Sequence, residues 1–225
     1  MNEVDSEFFR KSFSEWARLS EEEKRLIVTH SKLVRYKKGQ NIHGNKGGCT
    51  GALLLKSGSL RIYLLSDEGR EITLFRMYEG DVCMLTASCV LTSITFDVFV
   101  DAELDSEVYI VCPNALGELM RNNVYVENYA LRKTTERFSE VMWTMQQILF
   151  MSFDRRLALF LLKELEKTGG DTVRLTQEQI AKYTGSAREV VSRMLKYFAG
   201  EKLVEVSRGG VRVLDPAALK AFAGD

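Results

Sequence analysis

The chain of 225 residues has two prolines, two histidines and four cysteines, and no apolar stretch approaches the roughly 20 residues of a membrane-crossing helix. Each shortage excludes something. His30 and His43 stand 13 positions apart and belong to no ligand spacing, so an enzyme built on clustered histidine and carboxylate metal ligands lacks its parts. Both are read as surface residues. Cys49, Cys83, Cys89 and Cys112 are too few for a disulfide scaffold, and no two form the C-x-x-C pair that signals a structural metal. No metal site is therefore expected. Residues 1–10 carry Glu3, Asp5 and Glu7 and lack the basic-then-apolar order of a secretory signal. A cytoplasmic protein with no membrane partner is the expectation.

Net charge is missing too, since 31 Lys and Arg balance 31 Asp and Glu. The balance is uneven along the chain. Residues 151–225 hold 13 basic against 10 acidic residues, and residues 1–150 hold 18 against 21. So small an excess matters only where the basic groups line one face.

What is there changes texture three times. Residues 8–31 read as helical: Phe13, Trp16 and Leu19 recur every three positions, and Ser20 with Glu23 resembles a capping box opening another helix. Residues 34–112 read as strands, with apolar runs at 52–55, 60–65, 72–75 and 108–111 separated by glycine-bearing punctuation. That spacing suggests an antiparallel sandwich or barrel. Residues 41–51, with Gly44, Lys46, Gly47 and Gly48, lack the ending of a nucleotide loop and read as a hairpin connection. Neither Gly nor Pro interrupts 123–151, where Leu131, Thr135, Phe138, Met142, Met145 and Leu149 alternate at four and three residues. The seam fits a helix packed on its own domain or a two-helix dimer interface. Its narrowness, with Arg132, Lys133, Glu136, Arg137 and Glu140 keeping the other faces wet, favours the dimer.

From residue 152 a helical stripe of Leu157, Phe160, Leu161 and Leu165 is stopped by Thr168-Gly169-Gly170-Asp171. Further on, Ser207-Arg208-Gly209-Gly210 joins two short strands as a hairpin. Residues 176–198 between them carry the most information. Thr176 can cap a first helix, Ala181 is small where two helices must cross, and Gly185 supplies a turn. On a helical wheel Val190, Val191, Met194, Leu195 and Phe198 fall within one arc of about 140°. Arg188, Glu189, Ser192, Arg193 and Lys196 occupy the opposite arc. One face is core, and the other presents groups able to bond base edges and phosphates. Arg can bond guanine O6 and N7 together, and Glu can accept from cytosine N4. Thr176, Gln177, Ser186 and Arg208, at the helix starts and the hairpin tip, complete the candidate DNA contacts.

A Gly-punctuated β-domain, a long seam helix and a winged helix-turn-helix with Arg188-Glu189-x-x-Ser192-Arg193 on its second helix resemble the family of the cyclic-AMP receptor protein and the fumarate–nitrate regulator. The resemblance covers nearly the whole chain. It implies an α+β architecture: a cyclic-nucleotide-binding-like antiparallel β-barrel (jelly roll) over residues 1–122, a dimerisation helix over 123–151, and a winged helix-turn-helix over 152–225. It also implies a homodimeric transcription factor that contacts RNA polymerase, with bases met by Arg188, Glu189 and Arg193 and a TGA-containing half-site. The competing expectation, a cupin-like barrel enzyme with an appended helical domain, finds no nucleophile–base pair and too few histidines.

Cyclic-nucleotide-binding members of that family place a Glu and an Arg-Ser pair after the Gly-Asp turn. Here Gly80-Asp81 is followed by no Arg before Arg121, and Phe96-Asp97 stands about where the pair belongs. A carboxylate there would repel a phosphate, so cyclic AMP is not expected. The iron–sulfur members cluster cysteines near the N-terminus, whereas the first here is Cys49, and haem has only His30 and His43 to choose from. The effector, small molecule or otherwise, is unknown; Gly80, Cys83, Cys89 and Asp97 are its candidate residues. Cys83 and Cys89 fit plain packing, a redox or ligand-holding sensor, or the wall of an apolar pocket. On one helix they would lie ~9 Å apart along the axis, too far to bridge each other.

Overall fold

The computed structural model describes residues 3–44 and 48–224. Lys46 and Gly47 of the glycine-rich loop lie outside them. The chain divides into two compact units, residues 1–65 with 74–141 and residues 66–73 with 142–225.

The first unit opens with α1 (Glu3–Ser12), a 3₁₀ turn (Trp16–Arg18) and α2 (Glu21–Thr29). Ser20 caps α2 reciprocally: its Oγ accepts from the Glu23 amide at 3.2 Å, and its own amide donates to Glu23 Oε2 at 2.7 Å. Phe13, Trp16 and Leu19 do not continue one helix. They sit in and beside the 3₁₀ turn, whose three residues per turn is the period their spacing has, and all three are buried.

Two four-stranded antiparallel sheets follow. One has the order β1 (Ser31–Tyr36), β8 (Ser106–Val111), β3 (Ala52–Ser57), β6 (Val82–Cys83); the other β2 (Asn41–His43), β7 (Phe99–Ala102), β4 (Leu60–Leu65), β5 (Glu71–Met77). The sheets stay separate, so the jelly roll is a sandwich and not a closed barrel. Leu53, Leu55, Leu60, Ile62, Val100 and Val108 belong to one fully buried apolar cluster drawn from both sheets. A second cluster joins Phe9, Trp16 and Tyr109 to α3 (Pro113–Asn122) and α4 (Val124–Phe150) through Leu116, Leu119, Val126 and Tyr129. Tyr129 Oη donates to the Ser12 carbonyl at 2.6 Å, and burial pushes its pKa well up. No motif in the sequence marks α3, which starts on Pro113, a residue suited to a first helical position.

The second unit contains α5 (Phe153–Thr168), β9 (Thr172–Val173), α6 (Gln177–Thr184), α7 (Arg188–Gly200), β10 (Val204–Ser207), β11 (Gly210–Val213) and α8 (Pro216–Ala223). Its sheet has the order β10, β11, β9. Leu157, Leu161, Ile180, Val191, Leu195, Phe198 and Leu219 are fully buried together. The unforeseen α8 is capped by Asp215, which accepts from the Ala218 amide at 2.9 Å, and closes that core with Leu219. Among the described residues no helix is long and apolar enough to cross a membrane.

Candidate nucleic-acid interface

Thr176 starts α6 as its residue type demands. Its Oγ1 accepts from the Gln179 amide at 3.2 Å, and its amide donates to Gln179 Oε1 at 2.9 Å. At the other end Gly185 takes φ +61°, a left-handed conformation that costs a residue with a side chain about 1–2 kcal/mol. A Cβ there would also come within 3.2 Å of Ile148 Cδ1. Two arginines hold this turn by its carbonyls. Arg156 donates to the Thr184 carbonyl at 3.1 Å and to those of Gln147 and Met151 at 3.2 Å each. Arg70, in the 66–73 segment, donates to the Gly185 carbonyl at 2.5 Å. Burial and then the charge of Arg70 lower the pKa of Arg156.

The turn launches α7 with its two faces sorted. Val191, Leu195 and Phe198 are fully buried, whereas Val190 and Met194 are only half-buried at the edges of that face. Arg188, Glu189, Arg193 and Lys196 are exposed and Ser192 is half-buried. Arg208 is exposed at the β10–β11 turn, Thr176 is exposed, and Gln177 and Ser186 are half-buried at the helix starts. The ion pairs of this unit engage other cations, among them Lys167, Lys182 and Arg212. Among the described residues, Arg188, Arg193, Lys196 and Arg208 enter none. Free cations on a rigid helix face and a hairpin tip are suited to phosphates and base edges.

A Crp-like helix-turn-helix domain model matches residues 155–222. The crystal structure of a transcriptional regulator of the CRP/FNR family from Eubacterium rectale is 42% identical, covers 95% of this chain and 99% of its own, and superposes with a TM-score of 0.91. The chain belongs to the CRP/FNR family. It is thus a transcription regulator with a helix-turn-helix DNA-binding domain, and not an enzyme. Among curated relatives, the "Probable transcriptional regulator flp" of Lacticaseibacillus casei is 28% identical over 76% of this chain and 78% of its own. The "Cyclic AMP receptor protein" of Thermus thermophilus is 24% identical over 91% and 94%.

In the first unit the structure redraws the cysteine assignment. Cys83 lies in β6 and is fully buried, which pushes its thiol pKa up. Cys89 lies in an exposed turn and shares no helix with it. Cys89 is bonded instead to Cys49, with Cα atoms 5.8 Å apart, so it is no packing residue. The sequence left Cys49 without a role because 40 positions separate the two. Gly80 turns at φ +87°, its amide donating to the Leu55 carbonyl at 2.9 Å. Asp97 is exposed.

Two surface assignments fail. His43 is buried, with Nδ1 2.7 Å from Thr50 Oγ1, and burial lowers its pKa against a partial opposing pull from Asp97; His30 is exposed as read. Arg137, expected on a wet flank, turns inward over the Phe75 ring. Its Nη2 lies 3.1 Å from Asp81 Oδ1 and its Nη1 2.9 Å from Glu140 Oε2. Burial opposes its charge, but the Glu140 hydrogen bonds and the Asp81 carboxylate more than offset that and raise its pKa.

No Lys or Arg stands between residues 77 and 120 to meet a phosphate, and Arg137 is already committed to Asp81 and Glu140. Along α4 the seam residues Leu131, Thr135, Phe138, Met142, Met145 and Leu149 are all exposed in the single chain.

Proposed function

We propose that this regulator acts as a cytoplasmic homodimer that reads TGA-containing palindromes through α7, contacts RNA polymerase, and answers to a signal at its sensor unit. One observation carries the reading: Arg188, Glu189, Arg193 and Lys196 stand exposed and free of ion pairs opposite the buried Val191, Leu195 and Phe198. The α7 N-terminus adds backbone N–H groups with no side-chain cap from Ala187, which suits a phosphate. The seam residues of α4 supply a narrow apolar face for the second copy. Cyclic AMP is not the signal we propose, despite the relative that bears its name, because the cation beside the Gly80–Asp81 turn, Arg137, is already engaged by Asp81 and Glu140.

The test is anisotropy of the full chain on a TGA palindrome and on random duplex. Arg193→Ala should cost roughly 1–3 kcal/mol on the palindrome and relax the preference for guanine. Lys196→Ala should weaken both duplexes alike. Equal losses on both duplexes for Arg193→Ala would remove α7 from the role of reader.

A further inference from the structure

We propose that the Cys49–Cys89 disulfide is a thiol-exchange site, opened by attack of an external thiolate on Cys89, and that its state sets the signal passed to α4. The coupling half rests on the DNA-binding reading above; the exchange itself does not.

The two sulfurs differ in access. Cys89 is exposed and lines an open cavity of about 520 Å³ together with Val90, Asn114, Glu118 and Arg121, whereas Cys49 is half-buried. The cavity admits a peptide-sized thiol, and its charged lining is Arg121 with Glu118 and Glu127. Exposed disulfides are the labile ones, and in proteins that work among reduced thiols they are usually redox-sensing. Neither remaining cysteine competes. Cys83 is fully buried and its thiol is pushed toward the protonated form, and Cys112 is half-buried.

The chemistry closes. A thiolate RS⁻ attacks Cys89 Sγ, the S–S bond breaks, and Cys49 Sγ leaves with the electron pair and takes up a proton. Its new S–H finds an acceptor already placed, the Thr86 carbonyl oxygen 3.8 Å away. A second thiol attacks the mixed disulfide, releasing the reductant as RSSR and Cys89 as a thiolate, which takes up a proton. The protein gains two electrons and two protons, and the two thiols lose them.

The bond matters because of what it staples. The Thr50 and Gly51 amides donate to the Thr86 carbonyl at 3.2 Å each, and Thr86 Oγ1 donates to the Gly51 carbonyl at 2.6 Å. These bonds hold the start of the turn; Cys89 holds its far side, where Val90 and Leu91 begin to pack. The same segment reaches α4 through Asp81 and Arg137 at 3.1 Å, and Cys83 packs in the cluster that Val141 of α4 covers. Opening the bond thus frees one end of a segment whose other end grips the seam helix.

The test uses the full chain purified in air, alkylated before and after treatment with reduced glutathione or with thioredoxin, and mapped by mass spectrometry. Cys49 and Cys89 should be joined and unlabelled before treatment and labelled after it, with Cys83 unlabelled throughout. Opening by glutathione assigns the cavity to a small thiol, and opening by thioredoxin alone assigns it to a protein dithiol. Affinity for the TGA palindrome should differ tenfold or more between the two forms. Cys89→Ser should hold the reduced value under both conditions, and Cys112→Ser should respond as the wild type does. The reduced and alkylated wild type replaces Cys89→Ser if that variant does not fold. Labelling of both cysteines in the air-purified protein, or resistance of the bond to both reductants, overturns the exchange site. Equal affinities of the two forms, with Arg193→Ala still weakening the palindrome, overturn the coupling while the reader stands. If no form prefers the palindrome, the reader fails, and the labelling pattern still decides the exchange.

Discussion

His43 and Arg137 show what a buried polar residue does to a domain that otherwise reads as apolar strands. His43 keeps one ring nitrogen on Thr50 Oγ1, and its folded pKa lies below the ordinary 6.5 because burial disfavours the imidazolium. The sign of the consequence follows. With the folded pKa depressed, the unfolded chain binds the proton first as pH falls through about 6.5, so acidification favours unfolding. The first unit should lose stability between pH 7 and pH 5. Carboxylates held below their ordinary values, such as Glu23 on Asn123, contribute only further down. Urea midpoints at pH 7.5 and 5.5 check this: His43→Asn should flatten the difference, and an unchanged pH response in that variant would assign it to other groups. Arg137 poses the opposite case, a buried cation kept charged by Glu140 and Asp81. Removing it leaves Asp81 without its guanidinium partner at the edge of the core.

At the scale of elements, the end of α4 and the turn before α7 share one side chain. The Arg156 guanidinium bonds three carbonyls, those of Gln147, Met151 and Thr184. A lysine, with one nitrogen and no fixed fork, cannot reach all three in that geometry. Arg156→Lys should therefore preserve the helix content of the unit yet weaken DNA binding roughly tenfold by letting α7 move, since each lost charge-assisted bond is worth about 1.5–3 kcal/mol. Circular dichroism with anisotropy separates the two effects, and unchanged affinity would show the clamp to be dispensable. No periodicity in the sequence announces such a clamp. What the sequence does announce is local: the Ser20–Glu23 and Thr176–Gln179 caps, the Gly185 turn, the two faces of α7 and the 207–210 hairpin are each written within a few residues of themselves. Cys49 with Cys89, Asp81 with Arg137, and the inward turn of His43 depend on partners brought together by tertiary packing, and a period of 2 or 3.6 carries no information about them. α3 lies at residues 113–122, between the strand-like stretch that ends at 112 and the uninterrupted stretch that starts at 123, where ten residues are too few for a periodicity to stand out.

At the scale of the whole molecule, the unfinished feature is the α4 face. Phe138 is 61% exposed and Leu149 65%, on a helix whose opposite side buries Val126, Tyr129 and Ala130. In the proposed homodimer, these apolar residues at heptad spacing pack on the same face of a second copy about a two-fold axis. Such a pairing has a consequence for DNA. Two readers related by a two-fold must meet successive turns of the major groove, so their half-sites lie about 34 Å apart, or 10–10.5 base pairs. Because the seam residues are exposed in the single chain, Phe138→Glu and Met142→Glu should leave each copy folded and cost only the dimer. Sedimentation should then show monomers with unchanged thermal unfolding of the second unit, and affinity for the palindrome should fall toward that for a single half-site. Inserting five base pairs between half-sites should do the same to the wild type, by turning one half-site to the far side of the duplex. Intact dimers in both glutamate variants would move the interface elsewhere. Tight binding to the palindrome with the five-base-pair insertion would mean that the two readers are not held by a rigid seam.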